Sequence, residues 1–181
     1  VEALRAYTHE FTNKLHVILG LLQLGENRQA EEYVLRLTKT RAHSISYISE
    51  RIQEPSVAAL LIGKSYRAAE LGIRFVLDPA SELRGDGQYL PASSLITILG
   101  NLTENAFDAL RSAPENAQKE VTVSIREGEH GMLLSVDDSG AGMAAPQLDR
   151  IFERGFSTKG EGRGTGLSLV KETVDAFGGT I

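Results

Sequence analysis

The sequence contains no cysteine. Disulfides and thiolate metal sites are therefore excluded, and the absence fits a reducing compartment. No apolar run reaches the roughly 18–20 residues that a membrane span needs, and no secretory signal pattern stands at the start. Basic residues are scattered and in the minority, 19 Lys and Arg against 24 Asp and Glu, for a formal net charge of −5. No cluster would release many phosphate counterions, so nucleic acid is not an expected partner. The chain has 181 residues, of which 41% are apolar and 24% charged. That is the balance of a globular protein, with length for one ordinary domain or two small ones.

The first residue is Val1, inside what reads as a helix, and the chain stops after Gly178-Gly179-Thr180-Ile181, where a strand would begin. The expectation is a fragment of a longer protein. A membrane would be involved only through missing upstream segments, and this piece would be the cytoplasmic portion of an inner-membrane protein.

From Leu4 the pattern Leu4, Thr8, Phe11, Leu15, Ile18, Leu22 steps by four and three, a heptad seam with one polar member. Gly25-Glu26-Asn27 predicts a tight turn, and Arg28 to Gln53 a second helix closed by Pro55. A lone helical hairpin buries such a seam poorly. Pairing with a second copy into a four-helix bundle solves this, so a homodimer is expected. Residues 1–54 are assigned to this hairpin and residues 55–181 to a second domain, with a hinge near Pro55.

Beyond Pro55 the periods alternate. Residues 56–71 read as a helix ending at Gly72, and Ile73–Leu77 as a strand. Pro91 opens a long helix to about Ser112. Val121–Ile125 and Met132–Val136 read as strands split by a hairpin loop over Glu127–Gly131. Residues 138–166 are mostly irregular, a length that usually serves a function, and Leu167–Phe177 is the last helix. The fold class is α+β, a mixed sheet with helices on one face.

Three stretches carry chemistry. Gly160–Leu167 has alternate glycines at the start of a helix. It satisfies neither the P-loop nor the dinucleotide fingerprint. Helix-start N–H groups and close backbone approach would nevertheless suit phosphate. A mobile glycine-rich loop fits the same stretch equally well. Asp138-Ser139-Gly140-Ala141-Gly142 follows a strand; its carboxylate can accept from the exocyclic amine of adenine, or the stretch is an ordinary turn. Asn101 and Asn105 share one helix face. Asparagine is a poor helix former, and an amide oxygen is a hard ligand suited to Mg²⁺; two solvated asparagines are the plainer reading.

Together, Asn101–Ala106, Asp138–Gly142, Phe152–Lys159 and Gly162–Leu167 resemble, in order, the N, G1, F and G2 boxes of the Bergerat-type ATPase superfamily of histidine kinases, gyrase B, Hsp90 and MutL. The resemblance implies an α/β sandwich that binds ATP and Mg²⁺. Asn105 would coordinate the metal with Asn101 beside it. Asp138 would read adenine, with Gly140 and Gly142 shaping the base pocket. Gly162, Gly164, Thr165, Gly166 and Leu167 would meet the phosphates, and Lys159 and Arg163 would neutralise them from a lid anchored by Phe152 and Phe156. Asp108 departs from the pattern, standing where many kinases carry a basic residue. Gyrase-like members also place a hydrolytic glutamate where this chain has Asn101. Glu104, beside Asn105, has no assigned role.

His9-Glu10-Phe11-Thr12-Asn13-Lys14-Leu15 resembles the H-box of histidine kinases. Imidazole near its reference pKa of about 6.5 is largely neutral and nucleophilic at pH 7. The resemblance makes His9 the phosphoacceptor and Glu10 the acceptor of its Nδ1 proton. Asn13, one turn on, would position water for dephosphorylation. His16, His43 and His130 lack this context. His9–Leu24 and Leu60–Glu70 look most like sensor kinases of the citrate and C4-dicarboxylate type. Such a protein would phosphorylate His9 from ATP and pass the group to the aspartate of a response-regulator receiver domain. The rival is a non-enzymatic dimeric phosphotransfer or scaffold protein with a decayed ATP site. A serine kinase of the anti-sigma type would share the ATP boxes but needs no H-box.

Overall fold

The computed structural model describes residues 2–38, 43–85, 89–114, 117–148, 150–156 and 164–181. The chain divides into two compact units, Val1–Ala42 and His43–Ile181.

The first unit is a helical hairpin, α1 (Glu2–Gln23) and α2 (Asn27–Thr38). The expected turn lies between them. Gly25 takes φ 77°, and the Leu24, Gly25 and Glu26 N–H groups donate back to Gly20, Leu22 and Leu21. Ala30 on α2 is buried, yet Leu15, Leu19 and Leu22 on α1 are about half exposed. They recur at steps of four and three, so they form an apolar stripe that this unit leaves uncovered.

The second unit comprises α3 (His43–Arg51), α4 (Pro55–Glu70), β1 (Arg74–Leu77), α5 (Ala92–Arg111), β2 (Glu120–Gly128), β3 (Gly131–Asp138), the short α6 (Ala145–Leu148) and α7 (Gly166–Ala176). The sheet order is β1-β2-β3, with β1 parallel and β3 antiparallel to β2. It is the expected mixed sheet, and α4 and α5 pack against it. Val121, Val123 and Ile125 alternate along β2 with no exposure, each turned into the core. Above them α5 buries Leu95, Ile98, Leu99, Thr103, Ala106, Phe107 and Leu110, the face of a 3.6-residue period. Phe107 meets Phe75 edge to face at 6.3 Å between ring centres.

Two expectations need correction. The division between the units falls at Ala42 and His43, not at Pro55. Of the helix expected over Arg28–Gln53, α2 belongs to the first unit and α3 to the second. Ile48 of α3 and Ile52, just beyond its end and bridged to Leu83, are buried in the core that holds Leu61, Leu83 and Leu95. Gln53 donates to the Leu83 carbonyl, and Leu83 donates to that of Arg51. Glu54 then caps α4 by accepting from the Val57 N–H at 2.7 Å, with Pro55 in the first helical turn. Both sides of Pro55 are therefore fixed within one unit, and the expected hinge is not there.

The hairpin loop is also shorter than the expected Glu127–Gly131. The ladder continues through Glu127↔Met132 to Gly128↔Gly131, so only Glu129 and His130 connect the strands. A two-residue connection is the favoured closure of a twisted antiparallel pair. Among the described residues no helix is long and apolar enough to cross a membrane.

Candidate nucleotide-binding site

The buried face of α5 dictates what its other face presents. Asn101, Glu104, Asn105 and Asp108 recur at steps of three, one and three, a polar stripe turned away from the core. Asn101 is half-buried, and its Nδ2 donates to the Thr97 carbonyl one turn back at 2.7 Å. Asn105 is also half-buried, and its amide has no hydrogen-bond partner among the described residues. Asp108 pairs with Arg111 at 3.3 Å.

Two segments meet α5 on either side of Asn105. At one end, a Cβ on Gly166 would stand 2.8 Å from Asn101 Oδ1, so the first turn of α7 lies directly on Asn101. At the other end, a Cβ on Gly140 would stand 3.6 Å from the Ala109 Cβ, so the turn after β3 lies on Ala109. Positions 101, 105 and 109 are one helical turn apart, a span of about 12 Å at 1.5 Å per residue. The glycine-started helix, the free amide and the strand-end turn thus follow one another along a single helix.

The turn after β3 is built from its own side chains. Asp138 Oδ1 accepts from the Gly140 N–H at 2.8 Å, an Asx-type closure. A Cβ at Gly140 would fall 2.6 Å from the same oxygen, so a larger residue there would displace the Asp138 carboxylate from this closure. Gly142 takes φ 72°. Ser139 Oγ accepts from Glu120 N–H and donates to the Gln118 carbonyl, tying this turn to the start of β2. Asp138 is exposed, and among the described residues nothing else holds its second oxygen.

At the start of α7, Thr165 is the N-cap but makes no side-chain cap bond. Ser168 Oγ bonds instead to the Thr165 carbonyl, and the first helical backbone bond comes from Leu169. The N–H groups of Gly166, Leu167 and Ser168 are therefore unpaired among the described residues, with the positive end of the helix dipole behind them. Gly164 takes φ 111°, and a Cβ there would stand 2.5 Å from the Phe156 carbonyl oxygen. Gly155 N–H donates to the Gly164 carbonyl at 3.0 Å, pinning the segment on both sides. Phe152 and Phe156 are half-buried, and the Arg150 guanidinium lies 4.6 Å from the centre of the Phe156 ring.

Of the residues expected from sequence, Asn101, Asn105, Asp138, Gly140, Gly142, Gly164, Thr165, Gly166 and Leu167 fall on these three segments. Lys159, Gly162 and Arg163 lie outside the described residues. His9, Glu10 and Asn13 lie on α1, and their side chains are outside the described residues as well. The roles of Ser139 and Thr97 as fasteners were not read from sequence. Ser139 sits within an Asp-Ser-Gly turn signal that accounts for it locally.

Residues 91–181, which include α5 through α7, match the family described as "Histidine kinase-, DNA gyrase B-, and HSP90-like ATPase". The chain belongs to this ATPase family. Residues 1–50 match "Sensor_kinase_SpoOB-type, alpha-helical domain". Sensor histidine kinase DcuS of Escherichia coli (strain K12) is 44% identical over 181 residues, 99% of this chain and 33% of that protein. Sensor protein CitS of Halalkalibacterium halodurans is 43% identical over 182 residues, 99% of this chain and 34% of its own. A protein of the same organism named "Probable C4-dicarboxylate sensor kinase" is 36% identical over 182 residues, 100% of this chain and 34% of its own. The chain thus spans about a third of the length of the curated relatives it matches. These similarities agree with the resemblance carried by His9–Leu24 and Leu60–Glu70. The ATPase-family match also includes all three segments gathered along α5.

The residues present fit a magnesium nucleotide. The Asn105 amide is a half-buried hard donor without a partner among the described residues. Gly164 lets the chain pass against the Phe156 carbonyl immediately before α7, which leaves the start of that helix free of its own side chains. The donors at the start of α7 are those that bind phosphate elsewhere.

Proposed function

We propose that the chain is the catalytic core of a sensor histidine kinase, which phosphorylates His9 from ATP and passes the phosphoryl group to an aspartate of a response regulator. The observation that carries this reading is the alignment on α5: Gly166 abuts Asn101, Asn105 stands one turn on, and Gly140 abuts Ala109 a turn further. That span suits an extended nucleoside triphosphate, with its base by Asp138 and its phosphates at α7.

In this reading Asp138 accepts from the adenine amine with the oxygen not held by Gly140. Gly140 and Gly142 let the chain turn beneath the base. The α7 N–H groups bind the phosphates, joined by Lys159, Gly162 and Arg163 from the lid. Asn105 would hold Mg²⁺, which when bound neutralises charge developing on the phosphoryl oxygens. Asn101 keeps α7 in register with Asn105.

The imidazole of His9 attacks the γ-phosphorus through Nε2. The bond from that phosphorus to the bridging oxygen breaks, and ADP leaves. Glu10 accepts the Nδ1 proton's hydrogen bond and balances the charge on the ring. Little covalent work falls to the protein; positioning and charge neutralisation carry the rate. The uncovered stripe of Leu15, Leu19 and Leu22 supports a second copy as partner, giving a dimeric four-helix bundle. The α1–α2 hairpin would supply phosphotransfer and dimerisation, with Asn13 serving dephosphorylation. Attachment to an inner membrane would come from segments outside this chain.

Calorimetry with a non-hydrolysable ATP analogue tests the site. Binding is expected in the presence of Mg²⁺, weakened by removing the metal and abolished in Asp138→Ala. Asn105→Ala is expected to bind without metal dependence. No heat with any analogue would refute the reading.

A further inference from the structure

Glu104 stands between Asn101 and Asn105 on the polar stripe of α5, and the mechanism above does not use it. Its Oε1 lies 2.6 Å from the Nζ of Lys64 on α4. The two partners are unlike in exposure: the Lys64 side chain is 14% exposed, the Glu104 side chain 52%. A lysine can bury its stem while its ammonium stays at the surface, and the bond here lies on an exposed part of the α4–α5 contact. The packed stem therefore fixes where the ammonium meets Glu104. Lys64 holds one oxygen of a carboxylate whose other oxygen, Oε2, has no partner among the described residues.

A carboxylate held this way beside Asn105 has a specific use. Magnesium bound by one protein amide and phosphate oxygens keeps several of its waters. Carboxylates that accept from such waters orient them and raise metal affinity. We propose that Lys64 is a positioning residue acting through Glu104, pinning Oε1 so that Oε2 accepts from a water of the metal held by Asn105. The inference rests on the nucleotide-site reading above. It adds a residue from α4, 40 positions earlier in the chain than Glu104, to the control of that metal.

The test is a Mg²⁺ titration of ATP-analogue binding in the full chain, alongside metal-free analogue binding and thermal melting. Glu104→Gln is expected to raise the Mg²⁺ needed for half-saturation by about tenfold. Lys64→Met should raise it comparably, Lys64→Arg much less, and the double variant Lys64→Met with Glu104→Gln no more than either alone. Metal-free binding should change little in all of them. A purely structural tether would instead lower the melting temperature and weaken both forms of binding alike, which overturns the proposal. Unchanged Mg²⁺ dependence in Glu104→Gln overturns it too, and this variant keeps an acceptor for Lys64 should Lys64→Met fail to fold. If the unaltered protein shows no Mg²⁺ dependence, the metal-site reading fails together with the proposal. If it does show it while Glu104→Gln and Lys64→Met match it, only the proposal fails.

Discussion

The Oδ1 atom of Asn101 lies 2.8 Å from where a Cβ on residue 166 would stand. This contact sets how closely α7 approaches α5, and so where the phosphate-binding donors sit relative to Asn105. The side chain of Asn101 is short and tethered to the Thr97 carbonyl. It can yield to a methyl group only by giving up that bond, a cost of about 0.5–1.5 kcal/mol. Gly166→Ala should therefore lower stability by about that much. It should also weaken ATP-analogue binding by roughly tenfold as α7 shifts. Combining it with Asn101→Ala should recover part of the stability but not the binding. Denaturant titration and calorimetry on the single and double variants check this.

Asp138 does two jobs that substitution can separate. Its Oδ1 closes the turn onto the Gly140 N–H, and the other oxygen faces solvent where adenine is proposed to sit. Asp138→Asn keeps an acceptor for Gly140, and the fold should be nearly unchanged. It replaces an acceptor for the adenine amine with a donor when the amide oxygen faces Gly140. Analogue affinity should fall by at least tenfold, about 1.4 kcal/mol or more. Asp138→Ala should lose both the turn closure and detectable binding.

The place of α3 yields a prediction about stability. Ile52 is 2% exposed in the core with Leu61, Leu83 and Leu95. Ile52→Ala should cost about 2–5 kcal/mol in the unfolding of the ATP-binding unit, as a buried truncation does. Were residues up to 54 part of a separate hairpin, the same change would leave that unit's melting unaltered. Thermal melting followed with and without ATP analogue distinguishes the two.

Much of this architecture was legible because it is local. The apolar period of α5 places Asn101 and Asn105 opposite Phe107 and Leu110 without reference to any other segment. The turn at Gly25 and the strand-end turn at Asp138–Gly142 are written in single residues with special backbone freedom. What sequence reading missed depends on partners distant in the chain. Ile48 and Ile52 continue a helical period that looks like that of Tyr33 and Leu37, and only their burial against Leu83 shows which unit they join. Glu127 and Gly128 are poor strand formers that read as loop, yet they remain in the ladder opposite Met132 and Gly131. The pairing of Lys64 with Glu104 leaves no periodic trace at all. His9, Glu10 and Asn13 were legible through resemblance to the H-box, not through any packing that helical spacing dictates.

The central claim is that a nucleotide held along α5 gives its terminal phosphoryl group to His9. Incubation of the chain with Mg²⁺ and ATP labelled at the γ-phosphate tests it directly. The account predicts label on the protein that is lost in acid, survives base, and is absent from His9→Gln and from Asp138→Ala. Label of undiminished amount on His9→Gln, or acid-stable label on a serine, would contradict it.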